Sequence, residues 1–246
     1  MTRETIEITT ADGTCPATVF RPDDSAAHPA VIFYMDGLGI RPAILDMGER
    51  LASYGYVVLI PDLFYRYGPY LPLVPKDVFA SGDVRKAVGP YMSTTSNQKA
   101  GEDTQAFVAY LDSRTDIQGS KIGTTGYCMG GGMSLTAAGV FADRVAAAAS
   151  FHGGGLATDS SMSPHLFAGQ MQGFVYVAGA DKDGSYPPEQ AELMERALSD
   201  ARVPHKCEIY ADALHGWTMT DFPVYEEAAA ERHWSELTGL YARTLR

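Results

Sequence analysis

The sequence predicts an α/β protein: a mainly parallel central sheet with helices on both faces and a β-hairpin at one edge. Three observations lead there. Apolar runs of strand length, such as Ala30-Val-Ile-Phe-Tyr-Met35 and Tyr56-Val-Val-Leu-Ile60, are continuous rather than alternating, as strands covered on both faces are. Segments of helical spacing separate these runs, which implies right-handed crossovers between parallel strands. The third is Ala11-Asp12-Gly13, a strong turn signal between the β-prone segments Thr5 to Thr9 and Thr14 to Arg21. With 246 residues and 46% hydrophobic content the chain can bury one substantial core, so residues 1–246 read as a single domain.

In chain order, the hairpin comes first, then the polar loop Pro22 to Pro29 and the strand from Ala30. Ile44 to Tyr54 carries an apolar stripe at helical spacing, closed by Gly55. After the strand Tyr56 to Ile60, residues 61–95 are rich in Pro, Gly and Tyr, with one short helix suggested near Val78 to Val88. An irregular excursion of that length is usually a functional loop or a cap. Asn97 to Leu111 reads as a helix that Ser96 caps. Next come the strand Ile122 to Thr125 and a small-residue helix. Val145 to Phe151 is ambiguous by propensity, but its position favours a strand. A second long loop, Leu156 to Gly169, precedes the strand Phe174 to Ala178. A helix from Pro188 to Ala201 tolerates its prolines in the first turn. Cys207 to Tyr210 is the last strand and Tyr225 to Leu245 the last helix.

Composition narrows the functional classes. The net charge of −11, with no basic run, argues against a nucleic-acid partner or an anionic membrane surface. No stretch is apolar for long enough to span a bilayer, and Met1-Thr-Arg-Glu-Thr5 lacks the layout of a signal peptide. Cys15, Cys128 and Cys207 are odd in number and widely spaced, which suits a reducing, cytoplasmic location better than a disulfide framework. No HExxH or comparable metal set and no dinucleotide fingerprint is present, so neither a metal nor a cofactor is expected.

The chemistry concentrates at Gly126-Tyr127-Cys128-Met129-Gly130. This is the nucleophile-elbow pattern G-x-S-x-G with sulfur in place of the serine oxygen. The central residue of such an elbow is strained, and the flanking glycines leave room for its tight turn. The turn lifts Cys128 above the carboxyl ends of the strands and leaves the Met129 N–H at a helix N-terminus, where it can meet a developing oxyanion. In parallel sheets ligands bind at those strand ends. Two acids, Asp181 and Asp183, follow the strand Phe174 to Ala178, and His215 follows Cys207 to Tyr210. Nucleophile, acid, histidine is the chain order of α/β-hydrolases, and no serine elbow competes.

Gly-Tyr-Cys-Met-Gly-Gly-Gly resembles the dienelactone hydrolase family (carboxymethylenebutenolidases), α/β-hydrolases with a Cys-His-Asp triad. Val31-Ile-Phe-Tyr-Met-Asp-Gly-Leu-Gly39 resembles the family's strand and oxyanion loop. Gly55-Tyr-Val-Val-Leu-Ile-Pro-Asp-Leu-Phe-Tyr-Arg66, Asp183-Gly-Ser-Tyr-Pro187 and His215-Gly-Trp217 are similar to other family segments. The resemblance implies Cys128 as nucleophile, His215 as general base and acid, and Asp183 rather than Asp181 as the acid, because the family's acid stands four residues before a proline. It places oxyanion donors on the backbone of Met129 and Gly37. It also implies a small-molecule ester or lactone as substrate and a monomer or small homo-oligomer. Asp36 stands where the family has a glutamate that contacts the resting thiol. Where the family archetype carries an arginine clamp for a substrate carboxylate, this chain has Met219, while Arg85 could supply a second clamp residue. Phe64, Tyr65, Tyr127 and Trp217 are expected as aromatic groups around the mouth of the site.

Two other readings stay open on the sequence: a general carboxylesterase or thioesterase on the same scaffold, and a non-catalytic ligand-binding or redox-sensing protein that uses Cys128. His152 follows a strand end and reads as structural. Cys15 and Cys207 lie in strands and read as inert thiols.

Overall fold

A computed structural model of the chain describes residues 1–245. Strands β1 (Thr2–Thr10) and β2 (Gly13–Arg21) pair antiparallel across the two-residue turn Ala11-Asp12. They precede β3 (His28–Tyr34), β4 (Val57–Pro61), β5 (Ile117–Tyr127), β6 (Val145–Phe151), β7 (Phe174–Lys182) and β8 (His205–Leu214). The eight form one sheet in the order β1-β2-β4-β3-β5-β6-β7-β8. Only the pairings β1 with β2 and β2 with β4 are antiparallel, so the hairpin occupies one edge and the rest of the sheet is parallel. The ambiguous segment Val145 to Phe151 is a strand. Its central alanines, Ala147 to Ala149, are fully buried.

The helices are α1 (Pro42–Ser53), α2 (Pro75–Ala80), α3 (Val84–Met92), α4 (Asn97–Asp112), α5 (Met129–Val140), α6 (Pro188–Asp200) and α7 (Glu227–Thr244). α1 and α7 cover one face of the sheet and are joined by the Arg50–Glu231 ion pair; α4, α5 and α6 lie on the other. Ser96 caps α4 by accepting the Lys99 N–H. The excursion 61–95 holds two short helices rather than one. The break falls at Gly82, whose φ of +73° no helix accommodates, and Asp83 then caps α3 by accepting the Lys86 N–H. The second long loop contains a 3-10 turn, Pro164–Gln170. No helix among the described residues is long and apolar enough to cross a membrane.

The core is the sheet's interior: Ala30 to Tyr34, Val57 to Ile60 and Ala147 to Ala149 are fully buried. One contact fixes how α5 meets the sheet. A Cβ on Gly126 would lie 1.8 Å from the Gly130 carbonyl oxygen, and a Cβ on Gly130 would lie 2.3 Å from the Tyr34 oxygen. β5, β3 and the first turn of α5 therefore touch backbone to backbone.

That contact makes a test of the fold. Gly126→Ala should cost at least about 3 kcal/mol, because backbone cannot move aside as a flexible side chain can. Gly169→Ala, with open space around it, should stay within about 0.5 kcal/mol. Urea denaturation of the two variants reads the difference.

Candidate active site

Cys128 sits between the end of β5 and the start of α5 with φ 54° and ψ −118°, a conformation that an L-residue holds only under compulsion. Its N–H donates to Phe151 O at 3.1 Å and to His152 Nδ1 at 3.1 Å. A ring nitrogen that accepts an N–H must be the unprotonated one, so the proton of His152 resides on Nε2 and donates to Thr218 Oγ1 at 2.7 Å. Burial, reinforced by the neighbouring charge of His215, pushes the His152 pKa well below its ordinary value and keeps the ring neutral. This residue, also left-handed at φ 40°, thus links the elbow to the loop that carries His215. Its place just beyond β6 was the only signal of that role in the sequence.

His215 stands after β8, and its Nδ1 lies 2.7 Å from Asp183 Oδ2. Asp183 is buried. Its other oxygen accepts the Ser185 N–H at 2.8 Å and the Ser185 hydroxyl at 2.6 Å, and that hydroxyl also lies 3.1 Å from His215 Nδ1. Burial opposes ionisation of Asp183, but the bonds from His215 and Ser185 outweigh it and hold the carboxyl below its ordinary value. For His215 burial likewise opposes the charge. The negative charge and hydrogen bonding of Cys128, joined by Asp183, prevail and raise its pKa to about 10. With Nδ1 engaged by Asp183, Nε2 is the ring atom left for Cys128. Asp181, the alternative acid, is exposed and accepts the Asp212 N–H at 2.9 Å, where it supports the irregular end of β8 instead. Ser185 escaped the sequence reading because a serine two residues after an aspartate is ordinary turn chemistry.

Cys128, His215 and Asp183 open onto a cavity of about 690 Å³. Gly37, Met129 and Arg85 also line it, and the Met129 N–H, first in α5, has no intrahelical acceptor. The other walls come from Leu38, from Phe79, Val84, Val88 and Met92 of α2 and α3, and from Phe222 beyond His215. The irregular excursion is therefore a lid, whose lining residues are spread too widely in sequence for any periodicity to reveal.

Asp36 lines the same cavity, but its carboxylate faces Arg41. The guanidinium donates from Nη1 to Oδ1 at 2.7 Å and from Nη2 to Oδ2 at 2.8 Å, and Oδ1 also accepts the Leu38 N–H. Arg41 reaches on to Asp221, Nε to Oδ2 at 2.7 Å, and lies over the Phe222 ring. Among the described residues Asp36 has no hydrogen bond to Cys128, so the expected thiol contact is replaced by a buried ion pair. The expected aromatic mouth also differs. Tyr127 points to the opposite face of the sheet from α5. Its ring stacks on Phe33 and Phe151, and its hydroxyl meets His233 Nε2 at 2.8 Å. Strand alternation turns the residue before Cys128 this way. Trp217 is buried against Tyr210 and His152, Phe64 is buried, and neither they nor Tyr65 line the cavity. Met219 is fully buried and also absent from the walls. Burial raises the pKa of both Cys15 and Cys207, which makes them poor nucleophiles.

A mainly parallel sheet with a cysteine on a strained strand-to-helix turn and a histidine beyond the last strand is an α/β-hydrolase fold. The dienelactone hydrolase family model matches residues 15–245, and the chain belongs to that family. It is 27% identical over 224 residues to a Synechocystis protein named "Putative carboxymethylenebutenolidase", covering 89% of this chain and 87% of that one. It is also 27% identical over 198 residues to "Hydrolase tropI" of Talaromyces stipitatus, covering 80% of this chain and 73% of that one. Among solved structures, one titled "Putative Dienelactone Hydrolase from Klebsiella pneumoniae" superposes with a TM-score of 0.84 at 22% identity, over 98% of both chains.

Two outcomes follow from this geometry. Arg41→Met strands the buried Asp36 carboxylate and should cost about 3–5 kcal/mol in urea denaturation, part of which Asp36→Asn restores when added to it. His215 holds its proton more tightly folded than unfolded. The stability from this group is therefore complete below its ordinary pKa of 6.5 and is lost as pH rises through about 10. NMR titration should place the His215 transition near 10 in the wild type and lower in Cys128→Ala.

Proposed function

We propose that the protein hydrolyses an activated ester or lactone through a covalent thioester on Cys128. The observation that carries this reading is the chain of contacts from Asp183 to His215 to Cys128 at the wall of a substrate-sized cavity. A raised His215 pKa keeps the imidazolium populated, the form that can give a proton to a leaving oxygen.

The thiolate of Cys128 attacks the carbonyl carbon, and a C–S bond forms as the carbonyl electrons move to oxygen. The oxyanion accepts hydrogen bonds from the Met129 and Gly37 N–H groups. As it collapses, the ester C–O bond breaks and the leaving oxygen takes the proton from His215 Nε2. In the second half His215 accepts a proton from water, whose oxygen adds to the thioester carbonyl. The C–S bond then breaks, releasing the carboxylic acid and restoring the thiolate. Asp183 holds Nδ1 and with it the ring's orientation throughout, and Ser185 holds Asp183. Sulfur is a weaker base than an alkoxide, which suits acyl groups with good leaving groups such as enol lactones.

Turnover of p-nitrophenyl acetate with a burst of p-nitrophenol tests this. Cys128→Ala should lower kcat by roughly 10⁴ or more. Asp183→Asn should cost at least about 10², and Asp181→Asn less than about threefold. Full turnover in Cys128→Ala would overturn the proposal, and a larger loss in Asp181→Asn would reassign the acid.

A further inference from the structure

The cavity beside Cys128 offers a substrate little besides hydrocarbon and sulfur. Four methionines line it from three separate segments: Met92 of α3, Met129 and Met133 of α5, and Met162 of the loop after β6. Valine side chains of α3 and the rings of Phe79 and Phe222 fill the wall between them, and those two rings meet edge to face at 4.9 Å. Unbranched thioethers adapt to irregular apolar shapes at little cost.

Most of the polar groups on the walls are taken up by the protein itself. Ser96 Oγ accepts the Lys99 N–H, Ser160 Oγ accepts the Met162 N–H at 3.3 Å, and Asn97 Nδ2 donates to Met162 O at 3.4 Å. Both oxygens of Asp36 bind Arg41, and Asp183 and Ser185 bind each other and His215. Thr95 Oγ1 is the exception, a buried hydroxyl without a hydrogen-bond partner among the described residues. The remaining charge is Arg85, which is exposed at the rim of the lid. A substrate carboxylate deep in this chamber would lose its water and meet no cation except the His215 ring, which Asp183 and Cys128 already engage.

We propose that the chamber selects uncharged esters or lactones carrying a bulky apolar body, and that the lid residues Val88 and Met92 set this preference. The selection rests on the hydrolytic reading above. Each methylene withdrawn from water into the chamber should raise kcat/KM about fourfold.

The experiment is a series of p-nitrophenyl esters from acetate to octanoate, with the half-ester p-nitrophenyl hydrogen glutarate set against hexanoate. Hexanoate should exceed acetate by about 100-fold or more, and exceed the half-ester at least tenfold. Val88→Thr, which adds a hydroxyl at nearly constant volume, should lower the hexanoate-to-acetate ratio at least threefold. Met92→Gln, at an exposed position that folding tolerates, should move the ratio the same way. A flat series, a half-ester hydrolysed as well as hexanoate, or a ratio unchanged in both variants would overturn the selection. Absence of turnover and burst with every ester would instead sink the hydrolytic reading on which it rests.

Discussion

The site depends on a contact between backbones. Gly126 meets the Gly130 carbonyl, and Gly130 meets the end of β3, at distances that exclude even a methyl group. Because β5, β3 and the first turn of α5 cannot separate, Cys128 is held in a φ/ψ region it would otherwise leave. That one constraint directs the side chain upward and frees the Met129 N–H. It also puts the Cys128 N–H within reach of His152.

Around this turn the charges close on one another. The chain carries a net −11, yet the carboxylates at the cavity are each answered: Asp36 by Arg41, and Asp183 by His215 and Ser185. Arg41 is itself shared between Asp36 and Asp221, one before α1 and the other beyond His215. What remains open toward the cavity is the pair of Cys128 and His215, the pair on which the proposed hydrolysis rests.

Much of this was legible in the sequence because it is local. Strand runs, the hairpin turn and the glycine-bracketed elbow are each encoded by a few consecutive residues, and the order of cysteine, acid and histidine follows from strand ends, with Asp183 preferred to Asp181 through the family resemblance. The illegible parts are those made by residues distant in the chain. Tyr127 and Trp217 look like mouth aromatics until strand alternation and packing turn them inward. Arg41 looks like a helix-start arginine until the fold brings Asp221 beside it. The cavity's lining is scattered over α2, α3 and α5, and the break at Gly82 depends on a backbone angle that composition does not specify. His152 gave no hint of its partners, since one lies 24 residues away and the other 66.

The loops around Cys128, His215 and Asp36 are cross-braced, the elbow to the His215 loop through His152 and the loop after β3 to the same stretch through Arg41. The lid is different: among the described residues no ion pair or side-chain hydrogen bond ties α2 or α3 to the sheet, and its contacts are apolar packing such as Phe79 on Phe222. Hydrophobic surfaces slide where salt bridges lock. The molecule is therefore divided into a cross-braced frame and a roof, α2 and α3, held by packing. Under the proposed hydrolysis, substitution in the roof would change which molecules are admitted before it touched the reaction performed on them.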